Sequence, residues 1–298
     1  MFWKSKRETV KSLEEMTRRR SQWRDVMGRL FRNKTGFVGL CICAILIILV
    51  VFAPVFTSYN PLKQSVPERF LYPSSEHIFG TDDFGRDLWA RILYGGRISL
   101  LIAFIAVIIS TVGAIILGSC AGYFGGAVDQ IITRVMDVMM SIPGLLLAIA
   151  ISSALGAGLV NTALAIAIPG IAPGARIIRS TIMSIKDCEY VEAAKASGSK
   201  NFRLIMIHII PNCIAPLIVN ATLSIGGNIM AISGLSFIGL GVQAPTPEWG
   251  AILSTGKTYL RDFWPLVFFP ALFIMLTILG FNLFGDALRD ALDPRLKD

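Results

Sequence analysis

The stretch Gly36–Phe56, GFVGLCICAILIILVVFAPVF, is 21 residues long and carries no charge. About 20 apolar residues rising 1.5 Å each cross a hydrocarbon core of about 30 Å, so this segment has the length and chemistry of a transmembrane helix. A secretory leader is a poor fit. Its apolar region would be only about 7–15 residues and close to the N-terminus, whereas 35 residues precede this one and no small-residue cleavage site follows. The rest of the chain agrees in composition. Of 298 residues, 54% are apolar and 16% charged, and the mean hydropathy is +0.64. Soluble domains carry about 25% charged residues.

Five further charge-poor apolar runs follow, at about 98–122, 135–156, 159–178, 213–240 and 264–285, and with 36–57 they predict six spans in an all-α polytopic membrane protein. Only the first is a clean Leu/Ile/Val run. The others contain Pro143, Pro169, Pro173, Pro216 and Pro270 and many glycines. Such helices persist in lipid when neighbouring groups satisfy the freed backbone, so these are expected to pack on other helices. Gly118, Gly122 and Gly126 recur every fourth residue. They read either as a face for close helix approach or as the flexible end of span two.

The net charge of +8 is informative through its distribution. With the N-terminus inside, the internal segments 1–35, Arg134, 176–203 and 289–297 hold 21 of the 28 Lys and Arg, and the external segments 58–97 and 241–263 hold five and two. The positive-inside rule therefore predicts both termini in the cytoplasm, and nucleic acid is not the expected partner. Residues 20–34 place Trp23, Val26, Met27, Leu30 and Phe31 on one helical face among Arg20, Arg24, Arg29, Arg32 and Lys34. This suits an amphipathic helix at the cytoplasmic interface, or a helix packed on a partner. A second stripe, Phe84, Leu88, Ile92 and Leu93, with Asp87 and Arg91 four apart, is read as external and feeding span two, after an extended segment 58–79.

Several chemistries find no support. Cys41, Cys43, Cys120, Cys188 and Cys213 fall in spans or internal segments, so no external disulfide framework is implied, and Cys41-x-Cys43 has no nearby histidine or carboxylate for a metal. No ionisable residue lies deep in a span, which argues against a proton-coupled transporter; sodium coupling through carbonyls alone stays open. Gly250–Thr258, GAILSTGKT, ends like a phosphate-binding P-loop, but five residues rather than four separate Gly250 from Gly256, and no strand precedes it. It also lies on the predicted external side, so Lys257 reads as a solvated cation.

The long internal stretch between spans four and five contains EYVEAAKASGSKNFRLIMIHIIPN, Glu189–Asn212. Residues 187–196 are good helix formers with acids in the first turn. Ser197-Gly198 interrupts them, and Gly198 can take positive φ. Phe202, Ile205, Met206 and Ile209 then form a second amphipathic helix expected to end at Pro211. The prediction is a helix–turn–helix knob at the ends of two spans, either gripped by a partner or a bare surface loop.

This segment resembles the EAA motif of binding-protein-dependent ABC importer permeases: Glu-Ala-Ala, three residues, Gly, nine residues, then Ile-x-Leu-Pro. Here stand Glu192-Ala193-Ala194, Gly198 and Pro211, with His208 and Ile210 replacing the usual Ile and Leu. Peptide-type members often carry His-Ile-x-Pro at this place. Residues 79–100, 121–137, 234–253 and 281–297 also resemble the C-type permease of dipeptide and oligopeptide importers, a subfamily that includes nickel and glutathione permeases. His77 and His208 are the only histidines and are predicted on opposite faces, which favours peptide over nickel.

The resemblance implies the type I ABC importer transmembrane fold. Its parts would be a cytoplasmic segment 1–35, a peripheral helix 36–57, an external segment 58–97, a five-helix core 98–285 with a coupling loop 180–212, and a tail 286–298. It implies pairing with a homologous B-type permease, two ABC ATPases below, an external solute-binding protein above, and a peptide substrate, in a cytoplasmic (inner) membrane. It implies no catalytic, cofactor or metal site in this chain, with ATP and Mg held by the ATPases. Contact with the ATPase would fall to Glu189, Tyr190, Glu192, Ala193, Ala194, Ser197, Gly198, Phe202, His208 and Pro211. A membrane scaffold or sensor, or a secondary transporter, is the reading from another class.

Overall fold

A computed structural model describes residues 27–292, which are helical apart from loops and turns. Among the described residues five helices are long and apolar enough to cross a membrane, and one bent pair passes the same test only when its two helices are taken together, which gives five to six candidate spans. Helix α1 (Lys34–Val51) starts at Asn33, whose side chain accepts from the amides of Thr35 and Gly36. Its bulky exposed face, including Phe37, Ile45 and Ile48, suits lipid. On the other face Gly39 lies against the last helix, where a Cβ would stand 2.9 Å from the Gly280 carbonyl.

Helix α2 (Leu88–Phe124) is 37 residues long, roughly 55 Å at 1.5 Å per residue, so it overshoots the hydrocarbon core. It begins ten residues before the expected position 98. The stripe read as an external approach is its first turns, where Leu88, Ile92 and Leu93 are fully buried. The expected Asp87–Arg91 pair does not form. Asp87 instead caps α2 by accepting from the Ala90 amide at 2.7 Å and meets His77 at 2.9 Å. Arg91 reaches back to Asp82 at 3.1 Å.

The segment before α2 is not simply extended. Its chain is pinned by amides of Ser65 and Thr81 donating to the carbonyls of Phe84 and Leu71. Gly80 and Gly85 have φ of +79° and +69° and leave no room for a Cβ beside the Leu71 and Ser65 carbonyls. The result is a knot with His77, Asp82, Arg86, Asp87 and Arg91 all buried. Arg86 pairs with Asp82 at 2.6 Å, so each buried charge has a partner. Phe79 stacks on Phe269 and ties the knot to the last helix.

The third expected span is broken. Helix α3 (Gly126–Ser141) and helix α4 (Gly144–Leu155) are bent by 93°. Pro143 is the cause: it disfavours helical geometry in the residue before it, and Ile142 is extended at φ −97°, ψ 129°. Helix α5 (Leu159–Ile185) contains Pro169 and Pro173 and runs seven residues past the expected end at 178. The glycine series divides its roles. A Cβ on Gly118 or Gly122 would collide with Ile178 or Ile182 of α5, whereas Gly126, the first residue of α3, has φ +52° with open space around it.

After helix α6 (Glu189–Ala196), helix α7 runs unbroken from Asn201 to Phe237. The expected stop at Pro211 is absent. Residues Leu204–Ile209 form a π-helical stretch in which the Ile210 amide bonds to the Ile205 carbonyl. This shifts the register so that Pro211 falls in the first turn of the α-helix that follows, where its missing N–H costs little. Short helix α8 (Trp249–Gly256) folds in beneath α2, and α9 (Pro265–Leu292) closes the chain, still helical beyond the expected end at 285.

The near-P-loop is α8 itself, with Gly250 and Gly256 buried against Ser233 and Leu266. Lys257 is exposed and lies 4.7 Å above the Phe237 ring. Of the expected amphipathic helix at 20–34, residues up to 26 lie outside the described residues; 27–32 are helical, and Leu30 is buried against Ala287 and Ala291.

The core has two halves. One joins α1, α2, α5, α7, α8 and α9 around Trp249, beside the knot. The other surrounds Met136, Ile178, Ile182, Val191, Ile209 and Cys213, at the opposite end of the bundle. That end is called the knob face below.

Candidate functional site

At the knob face, α5 gives way to α6 through Lys186, Asp187 and Cys188 alone. Helix α6 is short because its sequence supplies a start and a stop. Glu189 and Glu192 sit in its first turn, where the helix dipole favours acids, and Lys195 in its last. At its end the amides of Gly198 and Ser199 donate to the carbonyls of Lys195 and Ala194, with Gly198 at φ +81°. The positive φ turns the chain back into α7. The Ser197 hydroxyl closes a further carbonyl, that of Ala193, at 2.8 Å.

One side chain anchors the knob. Val191 is 3% exposed and belongs to the cluster that also contains Met136 of α3, Ile182 of α5 and Ile209 of α7. Two polar contacts brace it: Tyr190 accepts from Asn212 at 3.3 Å, and Tyr123 at the end of α2 donates to Asn201 at 2.9 Å. Partial burial, with the Cys188 and Cys213 thiols nearby, holds the Tyr190 phenol above its ordinary value.

The sequence-predicted residues divide accordingly. Glu189, Tyr190, Glu192, Ala193, Ser197 and Gly198 are exposed on one short excursion, and Ala194 is half-buried on its inner side. Phe202, at 76% exposure, is the most solvent-facing aromatic at this end, and Met206 beside it is 46% exposed. His208 is half-buried on the π stretch, and Pro211 is exposed further along α7, both outside the turn itself. The assembly is a projecting surface of acids, small residues and one bare phenylalanine, with no enclosed cleft. It can be gripped by a partner.

Sequence reasoning missed the groups that support the knob from behind. Arg179 holds Asp129 through two bonds of 2.5 and 2.6 Å, and Arg176 reaches Asp137 at 2.6 Å. Both arginines are on α5 and both acids on α3. Beside them lies an open cavity of about 640 Å³, lined by Asp129, Arg134, Asp137 and Arg179 among others.

With this geometry in hand, known proteins can be compared. A family model described as binding-protein-dependent transport system inner membrane component matches residues 114–298, and one for the N-terminal TM domain of oligopeptide transport permease C matches 21–73. The dipeptide transport system permease protein DppC of Alkalihalophilus pseudofirmus is 46% identical, over 93% of this chain and 91% of its own. The oligopeptide transport system permease protein OppC of Bacillus subtilis is 39% identical over the same shares. Among solved structures, an inward-facing MetNI methionine ABC transporter chain matches 68% of this chain and 96% of its own at TM-score 0.54 and 14% identity. A chain of an amino acid ABC transporter crystallised with histidines matches 67% and 92% at TM-score 0.53 and 17% identity. These two likenesses bear on the fold, which is that of type I ABC importer permeases. The chain belongs to the family of binding-protein-dependent transport system inner membrane components, and is a multi-pass, non-catalytic permease subunit of an ABC importer whose ATPase activity lies in partner subunits.

Proposed function

We propose that this permease imports short peptides, and that the knob is where it takes up the work of ATP hydrolysis. The observation that carries the second part is the knob's construction. One buried residue, Val191, joins it to three helices that enter the membrane region, while Glu192, Ala193 and Phe202 face outward with nothing from the described residues upon them. A partner that moves this surface moves the ends of α5 and α7 with it. The peptide substrate is inferred from relatives at 39–46% identity that are named for dipeptides and oligopeptides.

In this reading the knob face is cytoplasmic, as the distribution of Lys and Arg predicts, and the membrane is the cytoplasmic (inner) membrane of a bacterium or archaeon. Two ATPase subunits bind ATP and Mg and close on the knob and on its counterpart in a homologous permease. Closure tilts the two permeases so that the path between them opens outward, where a solute-binding protein delivers the peptide. Hydrolysis returns the path to the inside. The contacts assigned to the ATPase are Glu189, Tyr190, Glu192, Ala193, Ala194, Ser197, Gly198 and Phe202, with His208 and Pro211 further along α7, on and just after its π stretch.

Gly198→Val tests this. The site has φ +81° and open space around it, so the cost is one of backbone conformation rather than collision. The expected outcome in proteoliposomes is loss of ATP-driven peptide uptake and weaker ATPase retention, with permease–permease association kept. Full uptake would refute the knob as the force-transmitting contact.

A further inference from the structure

Helix α3 is attached to the rest of the subunit in an unusual way. Met136 is its only fully buried residue. On the same face, Asp129 is held by Arg179 through two bonds and Asp137 by Arg176 at 2.6 Å. Thr133 adds a bond to Asp129 at 3.1 Å. Ile132 and Met139 are half-buried against the cluster around Met136, and the outer surface, including Ile131, Val135 and Val138, is exposed. The attachment is therefore two ion pairs beside a short apolar strip of Ile132, Met136 and Met139, and it leads to the knob. The arginines lie on the last turns of α5 before α6, and Met136 shares its cluster with Val191. The other end of α3 is the break at Ile142-Pro143, where the span turns by 93°.

The pairs are suited to being made and broken. The Asp137–Arg176 side chains are 41% and 48% exposed, and those of Asp129–Arg179 18% and 26%. The open, single-bonded Asp137–Arg176 pair contributes little to stability and the two-bonded Asp129–Arg179 pair more, and both impose a definite register of α3 against α5. Such a contact adds little weight to the folded state and much to the choice between two arrangements of it.

We propose that Asp129–Arg179 and Asp137–Arg176 form a latch that carries displacement of the knob into α3 and its break, so that the latch couples ATP use to the opening of the inner mouth. The four are positioning residues, and the proposal rests on the coupling role of the knob given above. Asp129→Arg, Arg179→Asp and the double exchange are compared with the same set at Asp137 and Arg176, the more exposed pair, where misfolding is least expected. In reconstituted complex shown intact by gel filtration, the readouts are peptide transported per ATP hydrolysed and basal ATPase without binding protein. Each single reversal should lower the transport-to-ATP ratio by about five-fold or more, the scale of a modest coupling between sites, while basal hydrolysis is kept or raised. The double exchange should restore the ratio. Single variants that assemble and keep the wild-type ratio, or a double exchange no better than the singles, would overturn the latch while leaving the knob reading intact. Wild-type complex that hydrolyses ATP without uptake would overturn the knob reading, and the latch with it.

Discussion

Removing the Glu248 carboxylate should unseat α8. This side chain is fully buried. It accepts from the Ser99 hydroxyl at 2.8 Å, the Gly250 amide at 3.0 Å and the Ala251 amide at 2.9 Å. Ser99 in turn accepts from the Trp249 amide at 3.3 Å, which ties the N-terminus of α8 to the middle of α2's outer half. Glu248→Ala removes an N-cap, worth about 1 kcal/mol. It also leaves the Ser99 hydroxyl buried without an acceptor, at about 1–3 kcal/mol. A loss of about 2–4 kcal/mol follows, and at about 3 °C per kcal/mol for a chain of this size the Tm should fall by roughly 10 °C. Ser99→Ala, which leaves the cap in place but removes a donor to the carboxylate and the acceptor of the Trp249 amide, should cost about 1–3 kcal/mol. The assay is thermal unfolding of the purified permease pair in detergent. A double-mutant cycle over Ser99 and Glu248 then isolates their shared bond. A Glu248→Ala protein with wild-type Tm would refute the claim that this network seats α8.

Three further outcomes are expected. Gly118→Val would place a Cβ 2.6 Å from the Ala175 carbonyl and 2.8 Å from the Ile178 Cβ, and should destabilise by about 1–3 kcal/mol, whereas Gly227→Ala, with open space, should change Tm little. Burial, and then Asp82 beside it, pushes the Asp83 carboxyl above its usual range; it thus supports stability that is full below the ordinary carboxylate pKa and lost as pH rises through the raised value. Asp83→Asn should therefore raise Tm at neutral pH and flatten the Tm–pH profile in the acid range, and an unchanged profile would sink this account. In a cysteine-less background, cysteine at Ser65 or Thr246 should react with an impermeant maleimide from outside intact cells, and cysteine at Ser199 only after the membrane is opened; external labelling at Ser199 would invert the orientation.

The sequence made the helical class and the knob legible because both are local. An uninterrupted apolar run such as Gly36–Phe56 has few other fates, and helix formers followed by Ser197-Gly198 specify a short helix and a turn from neighbouring residues alone. The boundaries failed where long-range contacts decide them. Asp87 and Arg91 read as a pair four apart on an external stripe ahead of span two, but a carboxylate at Asp82 and an imidazole at His77 let them be buried at the start of α2. Pro143 sat in an apolar run, and composition does not report direction, so one bent span passed for a straight one. Pro211 looked like a stop because the π stretch that absorbs it has no sequence signature of its own. Asp129 and Arg179 are 50 residues apart, and neither spacing nor periodicity brings them together.

The knot of buried charge beside α2 has a bearing on how the protein is made. Its parts are spread along the chain from His77 to Arg91, straddling the point where α2 begins, and it is sealed by Phe269 of the last helix. In the orientation proposed above, the acids and arginines are carried through the translocation machinery one by one during synthesis, still hydrated. They can be enclosed only when the final span has been inserted. Until then the chain presents unsheltered charge at the membrane surface, a feature by which quality-control proteases can tell an unfinished subunit from a finished one. A truncation before α9 is thus expected to be short-lived in cells even though the preceding spans are inserted.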